Sequence, residues 1–231
     1  ALRRADALRA LSPYTAQLAE REAGVPPLES FPAFSDLSAF TRQPVTALPE
    51  TPTALFVGTL ERSKNIAGLV RAWPHVAARV PEARLVLLGR GALLELVERL
   101  RDDYPGSVEH IPQVAPDEVA ALMDASTCLV LPSRSEGFGR VVVESYTRGR
   151  GVIASRVGSL PDLVEDGVTG LLVDDADVEG LAEAITVVLS DPGLAERLGR
   201  NAEAASARYR LSPDDYAARV RTLVDRTLAG A

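Results

Sequence analysis

Six short apolar runs set the first limit on this chain: Ala54–Val57, Arg84–Leu88, Val108–Ile111, Cys128–Leu131, Val152–Ala154 and Leu171–Val173. None approaches the length needed to cross a membrane, and each has the length of a strand buried on both faces. Helical spacing fills most of the gaps between them. Ile66, Leu69, Val70 and Trp73 form one stripe, Leu93, Leu94, Val97 and Leu100 a second, and Val119, Leu122 and Met123 a third. Strands alternating with helices build a parallel sheet covered on both sides. The expected fold class is α/β, a Rossmann-like doubly wound parallel sheet, with extra C-terminal helices.

The alternation places the Rossmann-like domain at residues 54–190. Residues 1–30 read as a separate remnant, with a strand within Ala5–Leu11 and a helix near Tyr14–Ala23. Residues 31–53 hold Pro32, Pro44, Pro49 and Pro52, a density that resists regular structure and reads as a linker. Residues 191–231 read as helices: Pro192 sits in a first turn after Asp191, and Ser212 precedes Pro213-Asp214-Asp215 as an N-cap with a carboxylate three residues on. A net charge of −7 argues against a protein that coats nucleic acid. No signal-peptide core and no transmembrane segment is expected. Cys128, the one cysteine, has no partner for an internal disulfide and reads as a buried thiol. A cytoplasmic location fits, with a membrane-peripheral parent protein left open. No Met opens the chain, which fits a piece of something longer.

Ligands of open parallel sheets bind beyond the carboxyl ends of the strands. After the first strand comes Val57-Gly58-Thr59-Leu60-Glu61-Arg62-Ser63-Lys64-Asn65. Gly58 admits a ligand close to the backbone, and Lys64 stands near a helix start, where free amides and the dipole favour an anion such as a diphosphate. Taken alone, the same residues also fit a plain turn with a solvated lysine. Gly89-Arg90-Gly91-Ala92 begins like a dinucleotide fingerprint but follows the wrong strand and has Leu94 in place of the third glycine, so it reads as a tight turn, with a place near a nucleotide left open. The richest segment is Pro132-Ser133-Arg134-Ser135-Glu136-Gly137-Phe138-Gly139-Arg140-Val141-Val142-Val143-Glu144. Glu136 ends a polar loop, two glycines leave amides uncovered at a helix start, and Glu144 lies roughly 8 Å further along the axis. Carboxylates accept from sugar hydroxyls and bare amides suit phosphate. A helix-capping Glu136 and a solvated Glu144 are the plain alternative.

Glu136, seven intervening residues and Glu144, inside Pro-Ser-x-x-Glu-Gly-Phe-Gly, resemble the donor motif of the family-4 glycosyltransferases, retaining enzymes of the GT-B fold. Gly58…Lys64 resembles that family's phosphate loop. Gly149–Ser155 and Gly158–Gly170 resemble the segments that follow its motif helix, in family order. The resemblance implies that this is the donor-binding half of a glycosyltransferase, with most of the acceptor domain absent. It implies a nucleoside diphosphate sugar as donor and a saccharide or lipid acceptor reached through the missing N-terminal domain, with no separate cofactor and no metal. Lys64 would bind the diphosphate, Glu136 the transferred sugar, and Glu144 the ribose. The amides of Gly137, Phe138 and Gly139 would approach sugar and phosphate. Val114 would meet the base through its backbone, and Gly58 and Thr59 would line the donor. Glu136 and Lys64 would carry the transfer chemistry.

Three positions depart from the family. Thr59 replaces an arginine, which removes a second cation from the diphosphate unless Arg62 substitutes. Pro112 replaces a glycine, and Gly151 a proline. The first loop resembles that of mannosyltransferase members, which implies GDP-mannose as the donor by a small margin, with UDP-sugars close behind. His75 and His110 fall outside the ligand loops and are expected to be structural. Two other readings are open on sequence alone: another GT-B enzyme, such as a sugar-nucleotide epimerase, and a module that binds nucleotide sugars without transfer.

Overall fold

The computed structural model describes residues 5–229, so Ala1–Arg4 of the expected N-terminal remnant and the last two residues lie outside it. The chain opens with β1 (Arg9–Ala10), α1 (Pro13–Ala23), β2 (Glu29–Ser30) and α2 (Ser38–Thr41). The central alternation follows: β3 (Thr53–Val57), α3 (Ile66–Arg79), β4 (Arg84–Leu88), α4 (Leu94–Asp103), β5 (Val108–Ile111), α5 (Pro116–Asp124), β6 (Cys128–Leu131), α6 (Arg140–Thr147), β7 (Gly151–Ser155), α7 (Leu160–Leu163) and β8 (Gly170–Val173). The last elements are α8 (Val178–Ser190), α9 (Pro192–Ser206) and α10 (Pro213–Ala229).

All six central strands pair in parallel, in the order β5-β4-β3-β6-β7-β8. Numbered from the first central strand, this is the Rossmann order 3-2-1-4-5-6, and the strand order reverses between β3 and β6. The inner strands β3, β4, β6 and β7 are buried on both faces because a helical layer covers each side, while the edge strands β5 and β8 are only partly covered. One layer packs Ile66, Leu69, Trp73, Val97, Ile185 and Val188 against the inward side chains of β3 and β4. The other packs Met123, Val142, Val143, Tyr146, Leu160 and Leu163 against alternate residues of the same strands. Burying each of the larger side chains contributes about 1.5–3 kcal/mol. Side-chain caps set several helix starts: Ser12 for α1, Asp177 for α8, Asp191 for α9 and Ser212 for α10. Burial pushes the Cys128 thiol up to about 12.

The Pro-rich segment 31–53 carries more structure than its composition suggests. Besides α2, its carbonyls are held by two arginines at the end of α6. Arg148, 1% exposed, donates to the carbonyls of Phe40, Gln43 and Pro44 and forms a two-point pair with Asp124. Arg150, 2% exposed, donates to the carbonyls of Thr46, Ala47, Asp124 and Ser126 and to the Thr46 hydroxyl. This irregular segment makes no ladder of its own, and the guanidinium groups satisfy its carbonyls instead. At the other end of the chain, α10 lies against the opening segment. Tyr216 accepts from Arg9 and meets the Phe31 ring edge-on at 5.8 Å, and Arg226 pairs with Glu29.

Candidate functional site

The reversal between β3 and β6 opens a crevice at their carboxyl ends, where a ligand is expected in this topology. The loop after β3 enters it first. Gly89 adopts φ +153°, and a Cβ there would fall 1.8 Å from the Gly58 carbonyl oxygen, so the ends of β3 and β4 approach as only glycine allows. Residues Arg62–Lys64 form a 3₁₀ turn that delivers Lys64 to the start of α3. The loop after β6 enters from the other side. There the Glu136 carbonyl accepts from both the amide and the hydroxyl of Ser159, at 3.0 and 3.2 Å. Gly158, at φ +56°, leaves room for that carbonyl, since a Cβ would meet it at 2.2 Å.

Lys64 and Glu136, 72 residues apart, meet across the crevice: Lys64 Nζ donates to Glu136 Oε2 at 2.5 Å. The side chains are 22% and 15% exposed. The two residues are thus partners of each other as well as candidates for separate ligand groups, and an arriving anion must compete with Glu136 for the ammonium. Beside them α6 begins at Gly139, held at φ +78°. The amides of Gly137, Phe138 and Gly139 donate to no group among the described residues. They immediately precede the first turn of α6, where the positive end of the helix dipole lies. The Phe138 ring rests edge-on against Tyr209.

Two cavities lie at the carboxyl end of β3, both walled by Val57 and Val114. The first, about 350 Å³, is lined by Gly58, Thr59, Gly89 and Arg90, and Arg90 is its one charged lining residue. The second, about 520 Å³, is lined by Glu144, Arg140, Arg42 and Asp117. Arg42 and Asp117 pair at 2.9 Å. Gly58, Thr59 and Val114 therefore share one wall, and Glu144 reaches the adjoining space. The sequence left a second cation to Arg62, but Arg62 is exposed on its turn, and Arg90 stands on the wall that Thr59 lines.

Glu144 is not a solvated helix residue. Its side chain is 11% exposed and pairs with Arg140 at 3.1 Å. Burial pushes its carboxyl above the ordinary carboxylate range, and Arg140 pulls it part of the way back. A raised pKa means that the folded state favours the protonated form. The penalty is absent below the ordinary value of 4.5, grows as the pH rises above it and is complete once the pH passes the raised folded value. Glu144→Gln is therefore expected to raise the melting temperature relative to wild type near neutral pH, with a gain that shrinks towards about pH 4. Melting curves across that range check it. An equal gain at all pH values would show that the carboxylate charge is not the cause.

His110 lies in β5 with Nε2 at 2.9 Å from the Gly89 carbonyl, and His75 is exposed on α3. Among the described residues no group of three or more His, Cys, Asp or Glu side chains is placed to hold a metal ion. No described helix is long and apolar enough to cross a membrane.

Residues 39–205, which contain every element of the crevice, match the protein family described as Glycosyl transferases group 1. The chain belongs to the glycosyl transferases group 1 family. It is similar to a D-inositol 3-phosphate glycosyltransferase of Rhodococcus jostii, 36% identical over 170 residues, covering 67% of this chain and 37% of that protein. It is also similar to a GDP-mannose-dependent alpha-(1-6)-phosphatidylinositol monomannoside mannosyltransferase of Mycolicibacterium smegmatis, 32% identical over 162 residues, covering 66% of this chain and 42% of that one. The chain thus spans about two fifths of the length of these relatives. Among solved structures, sucrose-phosphate synthase from Thermosynechococcus elongatus superposes with a TM-score of 0.84 at 28% identity, over 100% of this chain and 60% of its own. The parallel sheet and its helices are those of a GT-B glycosyltransferase domain.

Several residues around the site carried no signal that sequence reading picked out. Asn65, Arg148 and Arg150 read as ordinary polar residues, and only their places in the fold set them apart. Clusters of arginine beside buried strands are the one hint available for the last two.

Proposed function

We propose that this glycosyltransferase domain is the donor half of a retaining enzyme that binds a nucleoside diphosphate sugar and passes the sugar to a saccharide, lipid or small-molecule acceptor. The observation that carries the reading is the Lys64–Glu136 contact across the topological switch point, 2.5 Å long and flanked by the unpaired amides of α6. A diphosphate that takes Lys64 from Glu136 frees the carboxylate for sugar hydroxyls, so the two residues share the donor between them. Glu144 would hold the ribose in the adjoining cavity, with the base against Val114. Lys64 and the start of α6 would stabilise the charge that grows on the leaving diphosphate. This scheme asks for no resident cofactor. The relative named as GDP-mannose-dependent supports a nucleotide-sugar donor, and GDP-mannose is the first donor to test, before UDP-sugars.

Transfer requires the acceptor to be held against the anomeric carbon, and such positioning is worth roughly 7–11 kcal/mol of the barrier. This chain alone is expected to bind donor but to transfer nothing, apart from slow donor hydrolysis. The test incubates the chain with candidate donors and simple glycoside or lipid acceptors and follows products by mass spectrometry. Multiple-turnover transfer by the chain alone would contradict the division of labour.

A further inference from the structure

The residue after Lys64 has three properties that no ordinary loop position combines. Asn65 is the one non-glycine residue among those described with positive φ, at +52°. It is 3% exposed. Its side-chain amide reaches two other loops of the crevice: Nδ2 donates to the Asp175 carbonyl at 2.8 Å, and Oδ1 accepts from Arg134 Nε at 3.3 Å. Asp175 follows β8 and Arg134 follows β6, so one side chain ties the ends of three strands. The backbone repeats the link, with the Arg134 amide donating to the Ser63 carbonyl at 2.8 Å.

Asparagine tolerates the left-handed conformation better than most residues because its short polar side chain bonds locally. Here the conformation turns the chain from the 3₁₀ turn of Lys64 directly into α3, whose first amides at Gly68 and Leu69 donate to the Asn65 carbonyl. Gly68 makes room for the side chain, since a Cβ there would lie 2.6 Å from Asn65 Nδ2. The arrangement determines where Lys64 leaves the backbone and how its loop stands relative to Glu136.

We propose that Asn65 is a positioning residue: by binding the loops after β6 and β8, it holds the Lys64 ammonium where a donor diphosphate meets it. The proposal rests on the donor reading above. It separates two roles that Asn65 could play, filling space beside Gly68 or aligning Lys64.

Asn65→Gly keeps the left-handed backbone at no steric cost and removes both side-chain bonds. In the full chain, nucleoside diphosphate affinity is expected to fall about tenfold, with nucleoside affinity changed less than about twofold. Asn65→Gly combined with Gly68→Ala puts a methyl group where the amide was and adds a better helix former. The pair is expected to recover melting temperature without recovering diphosphate affinity. Calorimetry with GDP, UDP and their nucleosides reads the ratio, beside Lys64→Ala as reference. If Lys64→Ala weakens diphosphate binding and either Asn65 variant keeps the wild-type ratio of diphosphate to nucleoside affinity, Asn65 is only a packing residue, the proposal is overturned, and the donor reading stands. If the wild-type chain binds no nucleoside diphosphate, both are overturned.

Discussion

Arg150→Ala is expected to destabilise the chain by about 3–5 kcal/mol, the largest effect of any single substitution considered. The guanidinium is 2% exposed and donates to backbone carbonyls in two separate segments, Asp124 and Ser126 at the end of α5 and Thr46 and Ala47 in the Pro-rich stretch. Alanine leaves those oxygens buried with fewer donors, and each unsatisfied group costs about 1–3 kcal/mol. The neighbouring Arg148 cannot take over, because it is already engaged with Asp124 and the carbonyls of Phe40, Gln43 and Pro44. For a chain of this size the loss corresponds to a fall in melting temperature of roughly 10 °C. Release of the segment should also be visible locally, as faster proteolysis between Arg42 and Leu48. A variant that melts within about a degree of wild type and resists cleavage there would show that the arginines do not anchor the segment.

The sheet was legible because its strands are short, apolar and bounded by helical spacing, a pattern produced by burial on both faces. The crevice was legible for the same reason: once β3 and β6 are recognised, the loops beyond them are marked out by topology. Gly58, Lys64, Glu136 and Glu144 each fall where that reasoning placed them. What the sequence did not disclose depends on contacts between distant segments. A reader of Pro44, Pro49 and Pro52 sees a loose linker, because the donors that hold it lie about a hundred residues away on Arg148 and Arg150. Without the resemblance, a solvated Glu144 stayed open as the plain alternative, and its burial beside Arg140 is visible only in the fold. Asn65 gave no sign of its backbone conformation, since a positive φ leaves no mark on composition or periodicity. Thr59 stands where the resemblance implies an arginine, and only the adjacency of the β3 and β4 ends shows that Arg90 lines the same cavity.

Lys64→Ala is expected to weaken nucleoside diphosphate binding by about 1.5–3 kcal/mol, roughly 10- to 150-fold, while the matching nucleoside is little affected. Two effects add. The charge-assisted contact to phosphate is lost, and Glu136, deprived of the ammonium 2.5 Å away, is left as a carboxylate facing an anion. Removing Glu136 as well should therefore recover part of the loss, so Lys64→Ala/Glu136→Ala is expected to bind the free diphosphate better than Lys64→Ala alone. A double-mutant cycle by calorimetry measures the coupling. Independent, additive effects would mean that the ion pair plays no part in donor binding.

The central claim, that the crevice between β3 and β6 receives a nucleoside diphosphate, is tested most directly by titrating the wild-type chain with GDP, UDP, ADP and the corresponding nucleosides. One site per chain is expected, with at least one diphosphate bound about tenfold or more tightly than its own nucleoside and with affinity that falls as salt rises. No binding by any diphosphate, or nucleosides bound as tightly as their diphosphates, would contradict it.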